Sequence, residues 1–429
     1  MTTAGRIDPR PRNGNLPRRE SQALRVVIAP DSFKGSLAAP AVASAIAEGV
    51  GRAVPSADLR LRPMADGGEG TLDAVLAASG PTARRATTRV AGASGRAVDA
   101  AYGLIAGAPG ATAVLECAQV VPITDAVATS APVGARSTLG LGEQLRSLLD
   151  LGVRRMMIGL GGSSTNDGGA GLLAALGLAL VDARGHAIEP TPAGLDYLAG
   201  ADASALDPRL AECEITIMSD VNNPLCGPMG ATAVFGPQKG VAAADINGID
   251  RTIARYAAMV ERATGRRCAD RPGAGAAGGL GFALMQVGGS MRSGAAVVAD
   301  LIGLDDALAG ADWAITGEGR SDAQTLLSKG PAVVADRARA AGVAVSLLSG
   351  AVDPAALPSL AARFDGCFAL PAGPASLESC VRDAAALLAD RAEAMARLFV
   401  SARARSLAAT GAVPRGGGRA SSFPDPESR

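Results

Sequence analysis

The sequence predicts an α/β protein in which helices cover both faces of a largely parallel sheet. Short apolar runs alternate with longer segments rich in alanine and leucine, and loops of glycine, hydroxyl and acidic residues separate them. Apolar residues make up 48% of the 429 residues but aromatic residues only 3%, as is typical of helices that pack closely on a parallel sheet. The length suffices for two domains, or for one large α/β domain with inserted segments.

The individual elements follow from the spacing of apolar residues. Short apolar runs predict strands at 24–29, 59–63, 98–104, 112–116, 156–160, 179–182, 214–218, 313–316 and 343–347. Glycine and proline turns around the third and fourth of these runs indicate a hairpin or a mixed sheet. Segments that favour helix, several with one apolar face, predict helices at 39–49, 71–78, 141–150, 170–176, 250–264 and 377–403. Residues 219–240 contain too much proline and glycine for a regular element.

Composition excludes several classes of function. The formal net charge is zero and aromatic residues are rare, so nothing favours a nucleic acid or a membrane as partner. Six scattered cysteines without a paired motif indicate reduced thiols in a cytoplasmic protein. His186 is the only histidine and lies in a polar turn, which excludes a three-histidine zinc site. General-base chemistry therefore falls to carboxylates or lysines.

The two ends of the chain differ from its body. Residues 1–22 are rich in arginine and proline and lack the apolar segment of a secretion signal, so they are predicted to form a disordered tail. Residues 406–429 end in a polar stretch of glycine, serine and proline, which predicts a second disordered tail.

The loop after the strand 156–160 is the centre of the predicted site. Gly161 and Gly162 begin it, and glycine lets a ligand approach the backbone N–H groups closely. The polar residues that follow suit a helix cap or an anion site: Ser163, Ser164, Thr165 and Asn166. Asp167 either caps the helix itself or holds a cation such as Mg²⁺. The alternative is a tight strand-to-helix turn without a ligand.

Other loops offer charged and polar groups, most of them after a strand and one pair, Gln238 and Lys239, in a glycine and proline turn. They contain Asp31, Ser32 and Lys34; Asp66 and Glu69 around Gly67 and Gly68; Asp220 and Asn223; Gln238 and Lys239; and Glu318 and Arg320. Paired carboxylates on a glycine-rich backbone favour a metal or a cationic ligand between them. A lysine or arginine can bind phosphate or carboxylate. For each lysine a surface position is the alternative, and for Arg320 it is a salt bridge.

A second glycine-rich segment contains Gly275, Gly278 and Gly279. It matches a dinucleotide-binding pattern but follows polar residues rather than a strand, so a backbone nest for phosphate or close packing of helices is expected instead. Together the loops suit phosphoryl transfer, which depends on positioning, Mg²⁺ and charge neutralisation. They also suit a regulatory protein that binds a nucleotide or sugar phosphate without turnover.

Six long motifs, taken as a set, resemble the bacterial glycerate kinase family. They begin at Val27, Met64, Ile158, Ser219, Pro272 and Ile315 and occur in the family's order over about residues 24–398. The resemblance implies ATP-dependent phosphorylation of D-glycerate, giving 2-phosphoglycerate or, for some chains, 3-phosphoglycerate. It also implies two domains intertwined in sequence. Residues 23–85 and 290–405 would form a Rossmann- or flavodoxin-like domain, and residues 86–289 a second α/β domain.

The resemblance also suggests roles for the loops. The catalytic candidates are Asp220, Asp66, Lys34 and Arg320. Either of the two aspartates would accept the hydroxyl proton, and Mg²⁺ would lie near Asp167 and Asp220. The binding candidates are Asp31, Ser32, Gly67, Gly68, Glu69, Gly161, Gly162, Ser163, Ser164, Thr165, Asn166, Asn223, Gln238, Lys239, Gly275, Gly278, Gly279 and Glu318. A homodimer is left open.

Overall fold

The computed structural model describes residues 23–108, 110–326 and 329–411, with side chains as far as residue 406. The predicted tail 1–22, and the part of the second tail beyond residue 411, lie outside the described residues. The strands are β1 (Arg25–Ile28), β2 (Asp58–Leu61), β3 (Ala83–Ala91), β4 (Ala97–Ile105), β5 (Thr112–Glu116), β6 (Arg155–Gly159), β7 (Ala179–Val181), β8 (Gly200–Asp202), β9 (Glu214–Met218), β10 (Ser290–Arg292), β11 (Trp313–Thr316), β12 (Arg320–Ser321), β13 (Ala344–Ser349), β14 (Ala351–Val352) and β15 (Gly366–Ala369).

The helices lie between these strands and after the last of them. They are α1 (Ala39–Ala53), α2 (Thr71–Ser79), α3 (Ala126–Ser130), α4 (Leu139–Asp150), α5 (Ala170–Ala175), α6 (Ala231–Phe235), α7 (Ile246–Thr264), α8 (Leu280–Gln286), α9 (Gly294–Leu301), α10 (Leu304–Leu308), α11 (Gly330–Ala340), α12 (Leu357–Ala361), α13 (Leu377–Arg382) and α14 (Ala384–Gly411). Among the described residues, none of these helices combines the length and the apolar character needed to cross a bilayer.

The first large sheet is parallel throughout and has five strands in the order β15-β13-β11-β1-β2. Successive side chains of a strand point to opposite faces. Accordingly Val26 and Ile28 pack in a core with residues of α1 and α14. Val27, between them, packs in a second core with residues of α9 and α11. Helices therefore cover both faces of this sheet, as the sequence predicts.

The second large sheet is mixed and has six strands in the order β10-β9-β6-β5-β4-β3. β5, β6, β9 and β10 are parallel, whereas β3 and β4 form an antiparallel hairpin against β5. One face packs in a core with residues of α4, α5, α7 and α8. From the other face, Val114 and Met218 enter the core that also contains Val27 of the first sheet. The two sheets thus share one layer of apolar side chains.

The structure differs from the predicted elements mainly in polar or glycine-rich segments. The predicted helix 377–403 is wrong as a single element, because Asp383 leaves the helical conformation between α13 and α14. α14 ends at Gly411, so the first residues of the predicted C-terminal tail are helical. A short helix, α6, also interrupts the region predicted to be irregular.

The predicted division into two domains remains a prediction. The first sheet takes its strands from both ends of the chain and the second takes them from the middle. However, β10 belongs to the second sheet although its residues fall in the range assigned to the first domain. All six cysteines are free; Cys117 and Cys268 are buried and the other four are partly buried.

Candidate active site

A cleft of about 1030 Å³ lies where the two large sheets meet. Its walls are loops that follow the carboxyl ends of β1 and β2 in the first sheet and of β5, β6 and β9 in the second. Ligands of open parallel sheets bind at this edge because the loops after neighbouring strands converge there. The predicted site residues that line the cleft are Ser32, Lys34, Asp66, Gly67, Gly68, Glu69, Gly161, Gly162 and Asp220.

Glycines allow the loops from the two sheets to cross in direct contact. A Cβ on Gly161 would overlap the Cα of Gly68, and a Cβ on Gly159 would overlap the carbonyl oxygen of Gly67. The N–H of Gly161 donates to the same Gly67 carbonyl oxygen at 3.4 Å. Gly67 has φ of +86°, a conformation that favours glycine. Part of the glycine content therefore serves the contact between loops rather than a ligand.

Opposite charges face each other across the cleft wall. Lys34 Nζ lies 4.0 Å from Asp66 Oδ2, and the lysine side chain is 79% exposed. Asp66 Oδ1 accepts a hydrogen bond of 3.1 Å from the N–H of Gly68, which fixes the carboxylate. Lys34 is held only loosely and remains free to contact an anion. Lys329, just before α11, lines the cleft as well.

Asp220 follows β9 of the second sheet and lines the cleft. Solvent reaches it through the cleft, yet the surrounding protein desolvates its carboxylate and raises its pKa. Interaction with the Ser293 side chain opposes this rise, and the nearby Asp66 charge adds to it. Asp220 and Asp66 are therefore neighbours contributed by different sheets.

Asp31 lies behind the cleft lining rather than in it. Its side chain is buried, and Oδ1 accepts a 2.6 Å hydrogen bond from the N–H of Ser32. Burial raises the pKa of Asp31 to about 7, and the Asp66 charge contributes to the rise. Near pH 7 both the protonated and the ionised form of Asp31 are therefore populated.

Glu116 is a cleft residue that the sequence prediction missed. It ends β5, and Oε1 accepts a 2.6 Å hydrogen bond from the N–H of Leu72 in the first turn of α2. Oε2 accepts from Gln119 Nε2 at 3.1 Å, and burial raises the pKa of Glu116. One signal in the sequence was available: Glu116 directly ends an apolar run. A carboxylate at the end of a strand is well placed to accept hydrogen bonds from the N-terminus of a neighbouring helix.

Other lining residues also went unrecognised in the sequence. They are Phe33, Gly35, Leu37, Ala38, Ala39, Gly70, Asp73, Gln119, Thr124, Met218, Ser219, Val221 and Gln324. Most lie within a predicted motif or directly beside one, and this position in the sequence is a weak indication that they line the site. Gln324 falls within the motif that begins at Ile315, whereas Thr124 lies in a stretch without any pattern that would have found it. Ser36, which the sequence places with Lys34 in the first predicted loop, lines the cleft as well.

The structure corrects the prediction that Asp167 holds a metal ion. Asp167 is fully buried and does not line the cleft. Its carboxylate accepts hydrogen bonds from the N–H and hydroxyl of Thr138 and from the N–H groups of Gly169 and Gly171. Burial raises its pKa, and these bonds oppose the rise. Asp167 therefore caps α5, which is the alternative that the sequence left open.

The polar residues before Asp167 are also buried, which corrects their assignment as phosphate ligands. The buried set is Ser163, Ser164, Thr165 and Asn166. Lys239 lies beneath this loop and is buried too, where its Nζ donates to Ser163 Oγ at 3.0 Å and to the Thr165 carbonyl oxygen at 2.7 Å. Burial lowers the pKa of Lys239 to about 8. Lys239 thus supports the loop from behind and does not face the cleft.

The second glycine-rich segment does not form a phosphate nest. The N–H groups of Gly275, Gly278 and Gly279 donate to backbone carbonyl oxygens. A Cβ on Gly278 would overlap the carbonyl oxygen of Thr165, and one on Gly279 would overlap Gly168. These glycines allow close packing against the central loop, the alternative named above.

Four further candidates lie outside the cleft lining. Arg320 is 70% exposed and its Nη2 lies 4.0 Å from Asp353 Oδ2. Glu318 accepts hydrogen bonds from Thr325 and Ser321, and Asn223 Nδ2 donates to the carbonyl oxygen of Met229. Gln238 is exposed on the surface. Sequence order alone could not show that these side chains lie outside the lining of the cleft.

No group of three or more histidine, cysteine, aspartate or glutamate side chains among the described residues is arranged to hold a metal ion. His186 lies in an exposed turn, as predicted, with a side chain that is 74% exposed. The cleft therefore offers carboxylates, two lysines and glycine backbone, without an imidazole.

Comparisons with known proteins agree with this geometry. A family model described as Glycerate kinase family matches residues 26–400. The chain is 39% identical over 368 residues to Glycerate kinase of Bacillus subtilis (strain 168), covering 84% of this chain and 94% of the relative. It is 41% identical over 317 residues to Glycerate 2-kinase of Escherichia coli (strain K12), covering 74% and 82%. A crystal structure from Salmonella typhimurium LT2, assigned as glycerate kinase 2, superposes with a TM-score of 0.78 at 39% identity, covering 89% of this chain and 100% of that chain.

Proposed function

The chain belongs to the glycerate kinase family, and from this premise we propose that it transfers the γ-phosphoryl group of ATP to D-glycerate in the cleft between the two sheets. The family match confirms the resemblance of the six motifs. The observation that supports the proposed site is that Lys34, Asp66, Gly161 and Asp220, from four loops, line the same cavity.

The nucleotide phosphates would lie against the glycine-rich loops of the cleft. The loop Gly67–Gly70 and the pair Gly161 and Gly162 offer backbone that a phosphate can approach closely. Lys34 is exposed and only weakly paired with Asp66, so its ammonium group can turn towards a phosphate. Lys329 supplies the second positive charge of the cleft and would hold the glycerate carboxylate.

Asp220 is the proposed general base. As the hydroxyl oxygen of glycerate forms its bond to the γ-phosphorus, the bond from that phosphorus to the bridging oxygen of ADP breaks, and the hydroxyl proton passes to Asp220. A carboxylate whose pKa is raised by desolvation is a better base than one in water. The position of Asp220 at the end of β9 also leaves it open to the cleft.

The acidic side chains of the cleft also fit Mg²⁺, which usually takes one or two carboxylates together with substrate phosphates and water. Asp66 and Glu69 lie on one loop of the lining and would hold the ion beside the phosphates. Bound Mg²⁺ neutralises phosphate charge. Hydrogen bonding of Asp66 to the Gly68 N–H keeps the carboxylate oriented into the cleft.

We assign transfer to the 2-hydroxyl, so that the product is 2-phosphoglycerate. The Escherichia coli relative at 41% identity carries the name Glycerate 2-kinase, which supports this choice over 3-phosphoglycerate. We further propose a cytoplasmic enzyme.

An assay of ADP formation tests the proposal. The purified chain, with ATP, Mg²⁺ and D-glycerate, should release ADP only when glycerate is present, and L-glycerate serves as the stereochemical control. NMR of the product then distinguishes phosphate on C2 from phosphate on C3. ATP binding without glycerate-dependent ADP release would favour the regulatory alternative, and release of 3-phosphoglycerate would overturn the regiochemistry alone.

A further inference from the structure

A second concave surface lies at the amino end of β10, and it shares no lining residue with the cleft. We call it the arginine groove and define it by Arg266, Arg267, Arg271 and Ser290. Its volume is about 830 Å³. The first three residues follow the end of α7, and Ser290 begins β10. Nothing in the proposed phosphoryl transfer uses this surface.

The three guanidinium groups of the groove lack partners. Within residues 23–108, 110–326 and 329–406, none of Arg266, Arg267 and Arg271 forms an ion pair or a side-chain hydrogen bond, and all three are exposed. The Arg266 guanidinium lies over Gly288, because a Cβ on Gly288 would stand 3.8 Å from its Nη1. Three like charges around one concavity repel one another unless an anion lies between them.

The loop that carries the arginines is fixed by side chains of α7 and α8. Glu261 Oε1 accepts hydrogen bonds of 2.7 and 2.8 Å from the N–H groups of Cys268 and Ala269. Gln286 is buried; its Oε1 accepts from the Thr264 hydroxyl at 2.5 Å, and its Nε2 donates to the Arg266 carbonyl oxygen at 3.2 Å. Glu261 thus binds the backbone of this loop and forms no ion pair with Arg266, Arg267 or Arg271. The loop is therefore held in place before any ligand binds.

The remaining lining adds a hydroxyl group and apolar surface. Ser290 is exposed at the edge of the groove, and Met285 and Met291 lie beside the charged residues. Arginine forks suit the oxygen atoms of phosphate or carboxylate and can bind them through two parallel hydrogen bonds. The thioether side chains suit a small carbon skeleton attached to the anion.

We propose that the arginine groove is a second anion-binding site, and that its ligand is a small organic molecule with a phosphate group. The phosphate would lie among the three guanidinium groups, and the carbon skeleton would contact the methionines. The groove and the cleft lie at opposite ends of β10. Ser290 begins the strand in the groove, whereas Ser293 and Gly294 follow the strand beside Asp220. The inference does not depend on the proposed function.

Titration calorimetry of the full chain with inorganic pyrophosphate, without divalent metal and at constant ionic strength, tests the site. The variant R266Q/R267Q/R271Q should lose affinity by about tenfold or more, since hydrogen bonds from charged groups to an anion are stronger than those between neutral groups. R262Q removes an exposed charge from the last turn of α7 outside the groove and should bind as the wild type does. K34M removes the cleft lysine and should retain the groove site.

Each of the other outcomes overturns the inference. Unchanged binding in the triple variant would show that the arginines do not hold the anion. An equal loss of pyrophosphate affinity in R262Q would show a general effect of positive charge. Complete loss of pyrophosphate binding in K34M would place all binding in the cleft. Melting temperatures verify that the variants fold, and the three single arginine variants repeat the test if the triple variant does not.

Discussion

Gly161 and Gly68 lie in direct contact, although they come from loops of different sheets. A Cβ on Gly161 would overlap the Cα of Gly68. The carboxyl ends of β2 and β6 can therefore meet here only because Gly161 carries no side chain. This contact brings Asp66 and Asp220 to the same cavity.

The substitution Gly161→Ala is predicted to separate the two loops. Overpacking at such a contact costs about 1–3 kcal/mol of unfolding free energy, and displacement of the loops should lower kcat/KM by about 100-fold. Gly51→Ala, in α1, is the matched control because a Cβ there meets nothing within 4 Å, and it should raise the unfolding free energy by about 0.5–1 kcal/mol. Denaturant unfolding and steady-state kinetics measure both. Wild-type kinetics in Gly161→Ala would show that the contact does not shape the site.

The substitution Asp220→Asn is predicted to lower kcat by about 10²- to 10⁴-fold, because the amide cannot accept the hydroxyl proton. Affinity for ATP should stay within a few-fold of wild type, which binding of a non-hydrolysable analogue measures. Asp306→Asn, in the exposed first turn of α10, removes a carboxylate far from the chemistry and should leave kcat unchanged. A preserved kcat with a higher requirement for Mg²⁺ would assign Asp220 to the metal instead of the proton.

The substitution Asp31→Asn should change how stability depends on pH. Burial and the Asp66 charge raise the pKa of Asp31 from 3.8 to about 7, so the folded protein binds more protons than the unfolded chain between pH 4 and 7. The Asp31 contribution to the unfolding free energy is therefore lost as pH rises through this window, by at most about 1.4 kcal/mol per pH unit. Asparagine does not titrate and should escape the loss.

Urea unfolding of the wild type and Asp31→Asn from pH 4 to 8 measures this difference. The advantage of the variant should grow up to about pH 7 and then level off. A difference that stays constant across the range would show that Asp31 ionises at its ordinary pH in the folded protein.

The substitution Lys239→Met tests the buried cation beneath the central loop. Burial lowers the pKa of Lys239 from 10.5 to about 8, so the unfolded chain binds more protons between pH 8 and 10.5. The unfolding free energy of the wild type relative to Lys239→Met should therefore increase with pH across this window. The same difference measured from pH 6 to 7 should be flat, which provides an internal control. A flat difference up to pH 10.5 would contradict the lowered pKa.

The sequence predicted the fold well where burial imposes a pattern. Strands such as Glu214–Met218 and Trp313–Thr316 have the predicted bounds, because continuous apolar runs of this length are buried on both faces. Family membership and the largely parallel α/β architecture are also as predicted. The prediction missed β10 and merged α13 with α14, because short polar elements carry no clear periodicity of apolar residues.

The site was harder to predict, because position in a loop does not fix the direction of a side chain. Asp66 and Asp167 both follow a strand and directly precede two glycines, yet one faces the cleft and the other caps α5 from within the core. Glycine is equally ambiguous. Gly278 lies against the central loop and not against a ligand, since close packing and ligand approach require the same absence of a Cβ.

The most direct measurement is a crystal structure of the chain with D-glycerate and a non-hydrolysable ATP analogue. The account predicts that the γ-phosphate lies between Lys34 and the loops containing Gly68 and Gly161, with the glycerate hydroxyl facing Asp220. A nucleotide bound elsewhere, with those residues free of ligand, would contradict it.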